Sequence, residues 1–214
     1  MFFNSVSSIP GIGIYFWSGI VALIGVLAIG ALMLKYVPTE HDIVSFEMTF
    51  SVEKMKKYLE DWVRSAQIKL VIINTWLDFF FIVCYSATLF AFCRVIALVL
   101  HNMHVADAFT VALFISFLPV IAGALDMLEN IFLLYLLYKN KNGVSDGSVG
   151  EIPVFGASIA AVVKFALVVI TVTFLLLGTI FISIIKLGVF QSIAILFTII
   201  FLAFIITKII GGKK

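Results

Sequence analysis

Five long apolar runs divide this chain, and they are separated by charged residues or by turn-forming residues such as glycine and proline. The runs cover residues 12–34, 70–100, 109–138, 154–185 and 187–210. A helix needs about 20 consecutive apolar residues to cross a hydrocarbon core that is about 30 Å thick. The pattern therefore predicts five transmembrane helices. The break near Lys186 is the least defined, because one Lys and one Gly make only a short turn.

The longest polar stretch, between the first two runs, predicts one further helix. In residues 52–66 the apolar side chains recur every three or four positions, and Ser51 is a suitable N-cap. This amphipathic helix has two interpretations: it lies in the cytoplasmic head-group layer with its basic residues toward anionic lipid, or it packs as an elbow on the end of the bundle. The preceding residues 43–50 alternate as in an extended segment, and we interpret them as an ordered linker.

Composition fixes the class of protein. Hydrophobic residues make up 63% of the chain and charged residues 12%, whereas a soluble domain has about 25% charged residues. We therefore predict an all-α polytopic transmembrane helix bundle that forms a single membrane domain over residues 1–214, with the lipid bilayer as its surroundings. The net charge of +2 provides no basic field, which argues against nucleic acid as a partner.

The distribution of basic residues predicts the orientation. With five spans, one side of the membrane carries nearly all of the positive charge, and the other side carries only Arg94 and Lys186. By the positive-inside rule the basic side is cytoplasmic, so the N-terminus is outside and the C-terminus is cytoplasmic in a cell membrane. The basic side holds Lys35, Lys54, Lys56, Lys57, Arg64, Lys69, Lys139, Lys141, Lys208, Lys213 and Lys214.

Four ionisable residues lie deep inside the predicted spans: Asp78, Asp126, Glu129 and Lys164. Each costs at least about 2.5 to 3.5 kcal/mol at the centre of a lone helix, so each must face protein, water or a partner. Counted from the cytoplasmic ends, Asp78, Glu129 and Lys164 lie about 14 to 17 Å deep, and Asp126 lies one turn deeper. Three helices thus bring charge to one level.

The helical faces agree with a shared site. The spacing predicts that Lys164 forms an ion pair with Asp126, Glu129 or Asp78. The small residues around Lys164 on its helix allow a neighbouring helix to approach closely. Hydrogen bonds to this site are expected from Asn74, Tyr85 and Asn130.

Three carboxyl groups against one ammonium leave two surplus negative charges when all are ionised, which a dry interior does not tolerate. The leading hypothesis is therefore a site that binds or passes a proton, a cation, or a small polar or lipid head group. A purely structural polar cluster is the simplest alternative, and a noncatalytic subunit of a larger membrane complex or homo-oligomer is another. An intramembrane enzyme could use Asp78 and Asp126 as a carboxylate pair. The sequence indicates no catalytic residue, metal ligand set or cofactor.

The chain also resembles a family of small prokaryotic multi-helix integral membrane proteins that has no established activity. The resemblance covers about residues 46–176 and rests on SFEMTFSVEKMKKYLEDW at 45–62, LDFFFIVCYS at 77–86, AGALDMLENIFLL at 122–134 and the lysine-bearing VVKFAL at 162–167. It implies that Glu47 folds back under the bundle toward the site. The residues that match the family's recurring polar and aromatic positions are Glu47, Trp62, Asp78, Tyr85, Asp126, Glu129, Asn130 and Lys164.

Overall fold

The computed structural model describes residues 10–39, 41, 43–145 and 149–187, and within them the backbone forms six α-helices and no β-strand. The all-α prediction is confirmed. The helices are α1 (Ile12–Met33), which continues into a short 3₁₀ turn at Leu34–Tyr36, α2 (Ile43–Glu47), α3 (Val52–Arg64), α4 (Ile68–Asn102), α5 (Ala106–Asn140) and α6 (Glu151–Leu187).

Four of these helices, α1, α4, α5 and α6, are long and apolar enough to cross a membrane. They coincide with the first four predicted runs to within three residues at either end. Helix α4 has 35 residues and is therefore about 50 Å long, so it must tilt or project beyond the hydrocarbon core. The fifth predicted run, at 187–210, lies outside the described residues except for Leu187.

Helix α4 is central among the long helices, because α1, α5 and α6 all pack against it, and α5 also packs on α6. Glycine permits two of these close approaches. Gly123 on α5 lies against Ser86 of α4, and Gly25 on α1 lies against Cys84 of α4, so a Cβ atom at either glycine would collide with that side chain. These contacts bring α4, which carries Asn74, Asp78 and Tyr85, close to its neighbours.

The amphipathic helix α3 packs on one end of the bundle. The centre of the apolar face predicted from the sequence is fully buried, since Met55, Leu59 and Trp62 have no exposed surface, whereas Val52 is half-buried and Ala66 is exposed. The three buried residues form one core with α2, α4, α5 and α6 residues that include Phe46 and Val154. The structure therefore shows the elbow arrangement, and contact of the outward basic face with anionic lipid stays a prediction.

Two local details differ from the sequence pattern. The alternation in residues 43–50 resembles an extended segment, but residues 43–47 form a short helix within the linker, where the Phe46 ring centre lies 4.7 Å from that of Trp62. Helix α3 ends at Arg64, two residues before the predicted end, and Ala66 adopts a left-handed conformation with φ +59°. The packing of Phe46 on Trp62 is not contained in the local sequence pattern.

Candidate functional site

Lys164 lies at the centre of a buried cluster of charged side chains. Its ammonium nitrogen donates a hydrogen bond to Asp126 Oδ1 at 2.6 Å and lies 2.7 Å from Glu129 Oε2. The second contact is an ion pair whose angle falls outside hydrogen-bond geometry. The predicted ion pair between α6 and α5 is therefore present, with Asp126 and Glu129 as partners. The alanines around Lys164, Ala157, Ala160 and Ala161, are buried and let α5 approach.

A fourth carboxyl group reaches this lysine from outside the long helices. Glu47 Oε2, at the end of α2, lies 3.6 Å from Lys164 Nζ. Helix α2 is held there by Ser158, whose hydroxyl hydrogen-bonds the carbonyl oxygens of Glu47 at 3.0 Å and Thr49 at 2.7 Å. The placement of Glu47 under the bundle is the one that the family resemblance implied. The position of Glu47 in the sequence, within a connecting segment, did not by itself indicate this contact with Lys164.

Burial controls the ionisation of Glu47. Loss of hydration raises the pKa of this carboxyl from its ordinary 4.5 to about 7, the Lys164 ammonium opposes the rise, and the Asp78 and Asp126 carboxylates add to it. Near neutral pH the Glu47 carboxyl is therefore expected to be partly protonated.

The two remaining site carboxylates have different partners. Tyr85 of α4 donates a hydrogen bond to Asp126 Oδ2 at 2.9 Å, so both oxygens of Asp126 are engaged. Asn130 of α5 donates to Asp78 Oδ2 at 2.8 Å. Among the described residues Asp78 has no ion pair with Lys164. The expected hydrogen bonds from Tyr85 and Asn130 are present, and Asp78 forms the edge of the cluster rather than its centre.

Asn74 is not part of the carboxyl network. Its side-chain amide donates instead to the backbone carbonyl of Met33 at 3.1 Å and joins α4 to the end of α1. Sequence spacing placed Asn74 on the same face as Asp78, but it could not show that the backbone carbonyl at the end of α1 lies against Asn74.

A cavity of about 660 Å³ adjoins the cluster, bounded by α1, α2, α4, α5 and α6. This volume lies in the range of small-molecule binding pockets. Four members of the cluster face it, namely Glu47, Asp78, Asp126 and Lys164. The other walls are mostly apolar, and the lining on the α1 and α4 sides includes Leu23, Val26, Met33, Phe81, Thr88 and Leu89, with Phe165 and Val168 contributed by α6.

Glu129 lies behind this lining and is completely buried. Its Oε1 atom has no hydrogen-bond partner among the described residues. With Glu47 included, the cluster has four carboxyl groups against one ammonium, so the surplus is three negative charges when all are ionised, one more than the sequence had indicated. Protons or another cation must reduce that surplus.

The carboxyl groups of the cluster are arranged around a lysine. Within the described part of the chain, no three His, Cys, Asp or Glu side chains form a group that could hold a metal ion. The Lys164 ammonium lies between the carboxyl groups of Asp126 and Glu129. Asp78 and Asp126, the pair considered for an intramembrane enzyme, have separate hydrogen-bond partners, Asn130 and Tyr85.

Sequence reasoning missed Ser158 as a contributor. It was not singled out, because one serine among alanines on α6 carries no signal of a distant partner.

No protein-family model, curated protein or solved structure matches this chain. The resemblance to the prokaryotic membrane family stays a prediction. The functional argument therefore rests on the geometry of the site, which combines a cluster of surplus carboxyl groups with an adjoining, mainly apolar cavity.

Proposed function

We propose that this protein binds a small amphipathic ligand within the membrane, with the ligand's polar head group at the charge cluster formed by Glu47, Asp78, Asp126, Glu129 and Lys164. Its apolar part lies along the cavity toward Leu89 and Val168. The protein acts as a binding protein or carrier, and the reaction at the site is association rather than covalent chemistry.

One observation carries this proposal: the cavity combines a charged region with mainly apolar walls. Along α4 its lining extends from Asn74 to Leu89, which is about 22 Å of helix. Asn74 and Asp78 line the first part and Leu89 lines the last, while most of the other lining side chains, such as Leu23 and Val168, are apolar. Ligand pockets typically combine apolar walls with a few polar groups that fix orientation, and this arrangement matches a molecule with a polar head and an apolar tail.

The competing function, a noncatalytic subunit of a larger membrane complex, predicts a polar or small-residue stripe on a lipid-facing helix surface. The four ionisable residues that lie deep in the long helices all face the interior instead. On α1, the outward positions are large and apolar, among them Ile14, Trp17 and Leu27. This distribution favours an internal binding site over a docking surface.

Proton passage is a second candidate, and the ionisation of Glu47 favours it. A carboxyl group with a pKa near 7 lies 3.6 Å from Lys164, which in turn contacts Asp126. The Glu47 carboxyl can hold a proton released by a ligand or by water. The test measures proton flux through the Glu47→Gln variant in reconstituted vesicles. If the flux is lost while the variant still binds the dodecyl-chain probe used in the binding test, proton passage and ligand binding are separate functions.

The proposal includes an orientation. The basic residues of α3 and of the loop after α5 lie on the cytoplasmic side by the positive-inside rule, and Glu47 then faces the cytoplasmic end of the bundle. Anionic lipid would contact Lys54 and Lys57 on the outward face of α3. Labelling of single cysteines placed in this helix, from either side of sealed vesicles, decides the orientation.

The binding test uses the full chain in phosphatidylcholine nanodiscs. Three dodecyl-chain probes with different head groups, trimethylammonium, maltoside and phosphate, are titrated calorimetrically against the protein and against empty nanodiscs. We expect saturable binding of at least one probe to the wild type. Leu89→Trp fills the apolar part of the cavity and should weaken that binding at least tenfold.

Val83→Trp is the matched control, because Val83 lies on the same helix but is exposed to lipid. It should bind the probe as the wild type does. If no probe binds above the level of empty nanodiscs, or if Leu89→Trp and Val83→Trp behave alike, the cavity is not a binding site and the proposed function is wrong.

A further inference from the structure

The ligand's charge can be inferred from the donors and acceptors that the cluster leaves available. This inference rests on the proposed function, because it assumes that the cavity is occupied, and it concerns the chemical class of the occupant. The relevant atoms are those that face the cavity and are not already satisfied by neighbouring side chains.

The ammonium of the cluster is already surrounded by carboxyl groups. Lys164 donates a hydrogen bond to Asp126 at 2.6 Å, and it forms ion pairs with Glu129 at 2.7 Å and Glu47 at 3.6 Å. The Tyr85 hydroxyl donates to Asp126, and the Asn130 amide donates to Asp78. An anionic head group that entered the cavity would therefore meet negative charge with no free cation to receive it.

The Asp78 carboxylate can still accept further hydrogen bonds. Asp78 accepts one hydrogen bond at Oδ2, from Asn130, and it is the member of the cluster that faces the cavity without an ion pair among the described residues. It is also only partly buried. A positive group beside Asp78 would supply the missing countercharge without displacing Lys164 from Asp126.

Aromatic rings also line the cavity. Phe81 and Tyr85 are one turn and two turns from Asp78 on α4, and the ring of Phe165 on α6 lies 5.2 Å from the Lys164 ammonium. The faces of such rings attract cations, and an alkylated ammonium is the type of cation that benefits most because it is weakly hydrated. The Asp78 carboxylate and the aromatic rings together favour an organic cation. An inorganic ion would leave the apolar part of the cavity empty.

We propose that the cavity binds a cationic amphiphile, an amine or quaternary ammonium joined to an apolar chain, with the ammonium beside Asp78 and the chain between α1 and α6. The ligand would neutralise one of the surplus negative charges of the cluster. A lipid with a cationic head and a soluble lipophilic amine share this chemistry, and the experiment separates them.

The test compares dodecyltrimethylammonium with dodecyl maltoside and dodecyl phosphate on wild-type protein in phosphatidylcholine nanodiscs. We expect the cation to bind at least tenfold more tightly than either other probe after subtraction of binding to empty nanodiscs. Asp78→Asn should remove this preference and leave the neutral probe unchanged. Asp107→Asn is the matched control, because Asp107 is exposed at the start of α5, and it should keep the preference.

The source of the cation is decided by a second comparison, between dodecyltrimethylammonium added from solution and a two-chain cationic lipid incorporated in the nanodisc. Competition by the lipid at a few mole per cent would identify a membrane source, and no competition a soluble one. Both results are compatible with the cationic class.

Equal or tighter binding of the neutral or anionic probe to the wild type would overturn the inference, and that comparison needs no variant to fold. Retention of the preference in Asp78→Asn would likewise overturn the role of Asp78. In either case the proposed function stands as long as Leu89→Trp weakens binding. If no probe binds, both proposals fail together.

Discussion

Both halves of the charge cluster contain carboxyl groups, but they differ in how these groups are neutralised. In the paired half, Lys164 lies within 2.7 Å of both Asp126 and Glu129, and the three side chains are almost entirely buried. In the open half, Asp78 has an amide as its hydrogen-bond partner and faces a cavity. A buried charge with close counterions holds helices together, whereas a charge that faces a cavity with only a neutral partner is free to receive a ligand.

The largest expected effect is the loss of the ammonium from the paired half. Lys164→Met removes the countercharge of several buried carboxylates and should destabilise the protein by about 3 to 5 kcal/mol, as breaking a buried ion pair does. Stability is measured by unfolding in a dodecyl maltoside and sodium dodecyl sulfate titration. Lys139→Met, at an exposed position of α5, is the control and should change stability by less than about 0.5 kcal/mol.

The coupling between Lys164 and Asp126 should be the next largest effect. In a double-mutant cycle with Lys164→Met and Asp126→Asn, we expect an interaction free energy of about 2 kcal/mol, because each single change leaves a buried partner unsatisfied. If both single variants are mild and the double variant is as stable as the wild type, the ion pair does not hold α5 and α6 together.

The substitution Ser158→Ala tests whether the Ser158 hydroxyl holds α2, and with it Glu47, against the paired half. Ser158→Ala removes the donor to two carbonyl groups, those of Glu47 and Thr49, and should cost about 1 kcal/mol. It should also increase hydrogen exchange in α2. Ser18→Ala on α1 is the matched control, since Ser18 is exposed and bonds only to its own helix. Equal effects of the two substitutions would mean that Ser158 does not anchor α2.

A smaller effect is expected from titration of Glu47, which faces Lys164, Asp126, Glu129 and Asp78. Because burial raises its pKa from 4.5 to about 7, the folded protein binds more protons than the unfolded chain between these values. The stabilising contribution of the protonated carboxyl is therefore complete below about pH 4.5 and is lost as the pH rises through 7. Glu47→Gln should flatten this part of the stability profile; an unchanged slope would assign it to another group.

The smallest effect on stability should come from the open half. Asp78→Asn keeps an oxygen that can accept from Asn130 and breaks no ion pair among the described residues, so we expect a change within about 0.5 kcal/mol. The same unfolding titration measures it. A loss comparable with that of Lys164→Met would show that Asp78 is structural, and the distinction between the two halves would then be wrong.

Much of the site could be predicted because helical periodicity fixes which residues share a face. The depth of Asp126, Glu129 and Lys164 and their spacing along two helices were enough to expect the ion pair, since a charge at the membrane centre must find a partner. Tyr85 and Asn130 followed from the same faces. Trp62 was correctly placed on the apolar face of α3, but periodicity could not decide whether that face meets lipid or protein, because both are apolar surroundings.

The arrangement around Glu47 could not be predicted from periodicity. Glu47 and Ser158 are far apart in the sequence, and their contact depends on how the segment between α1 and α4 folds across the bundle end. Local alternation in residues 43–50 even favoured an extended segment, and packing of Phe46 on Trp62 overrode it. Contacts of this kind require the relative placement of helices, which side-chain pattern within one helix does not encode.

By itself, the sequence determined that this is a helical membrane protein. It also determined which helices carry buried charged residues and how deep those residues lie, because apolar length and helical repeat are properties of single segments. Only the tertiary structure decided that Glu47 joins the cluster, that Asp78 is left without an ion pair among the described residues, and that a cavity of about 660 Å³ lies beside it. The reason is physical: a void and an unsatisfied charge are defined by what neighbouring helices do not fill, and that depends on how all of them pack together.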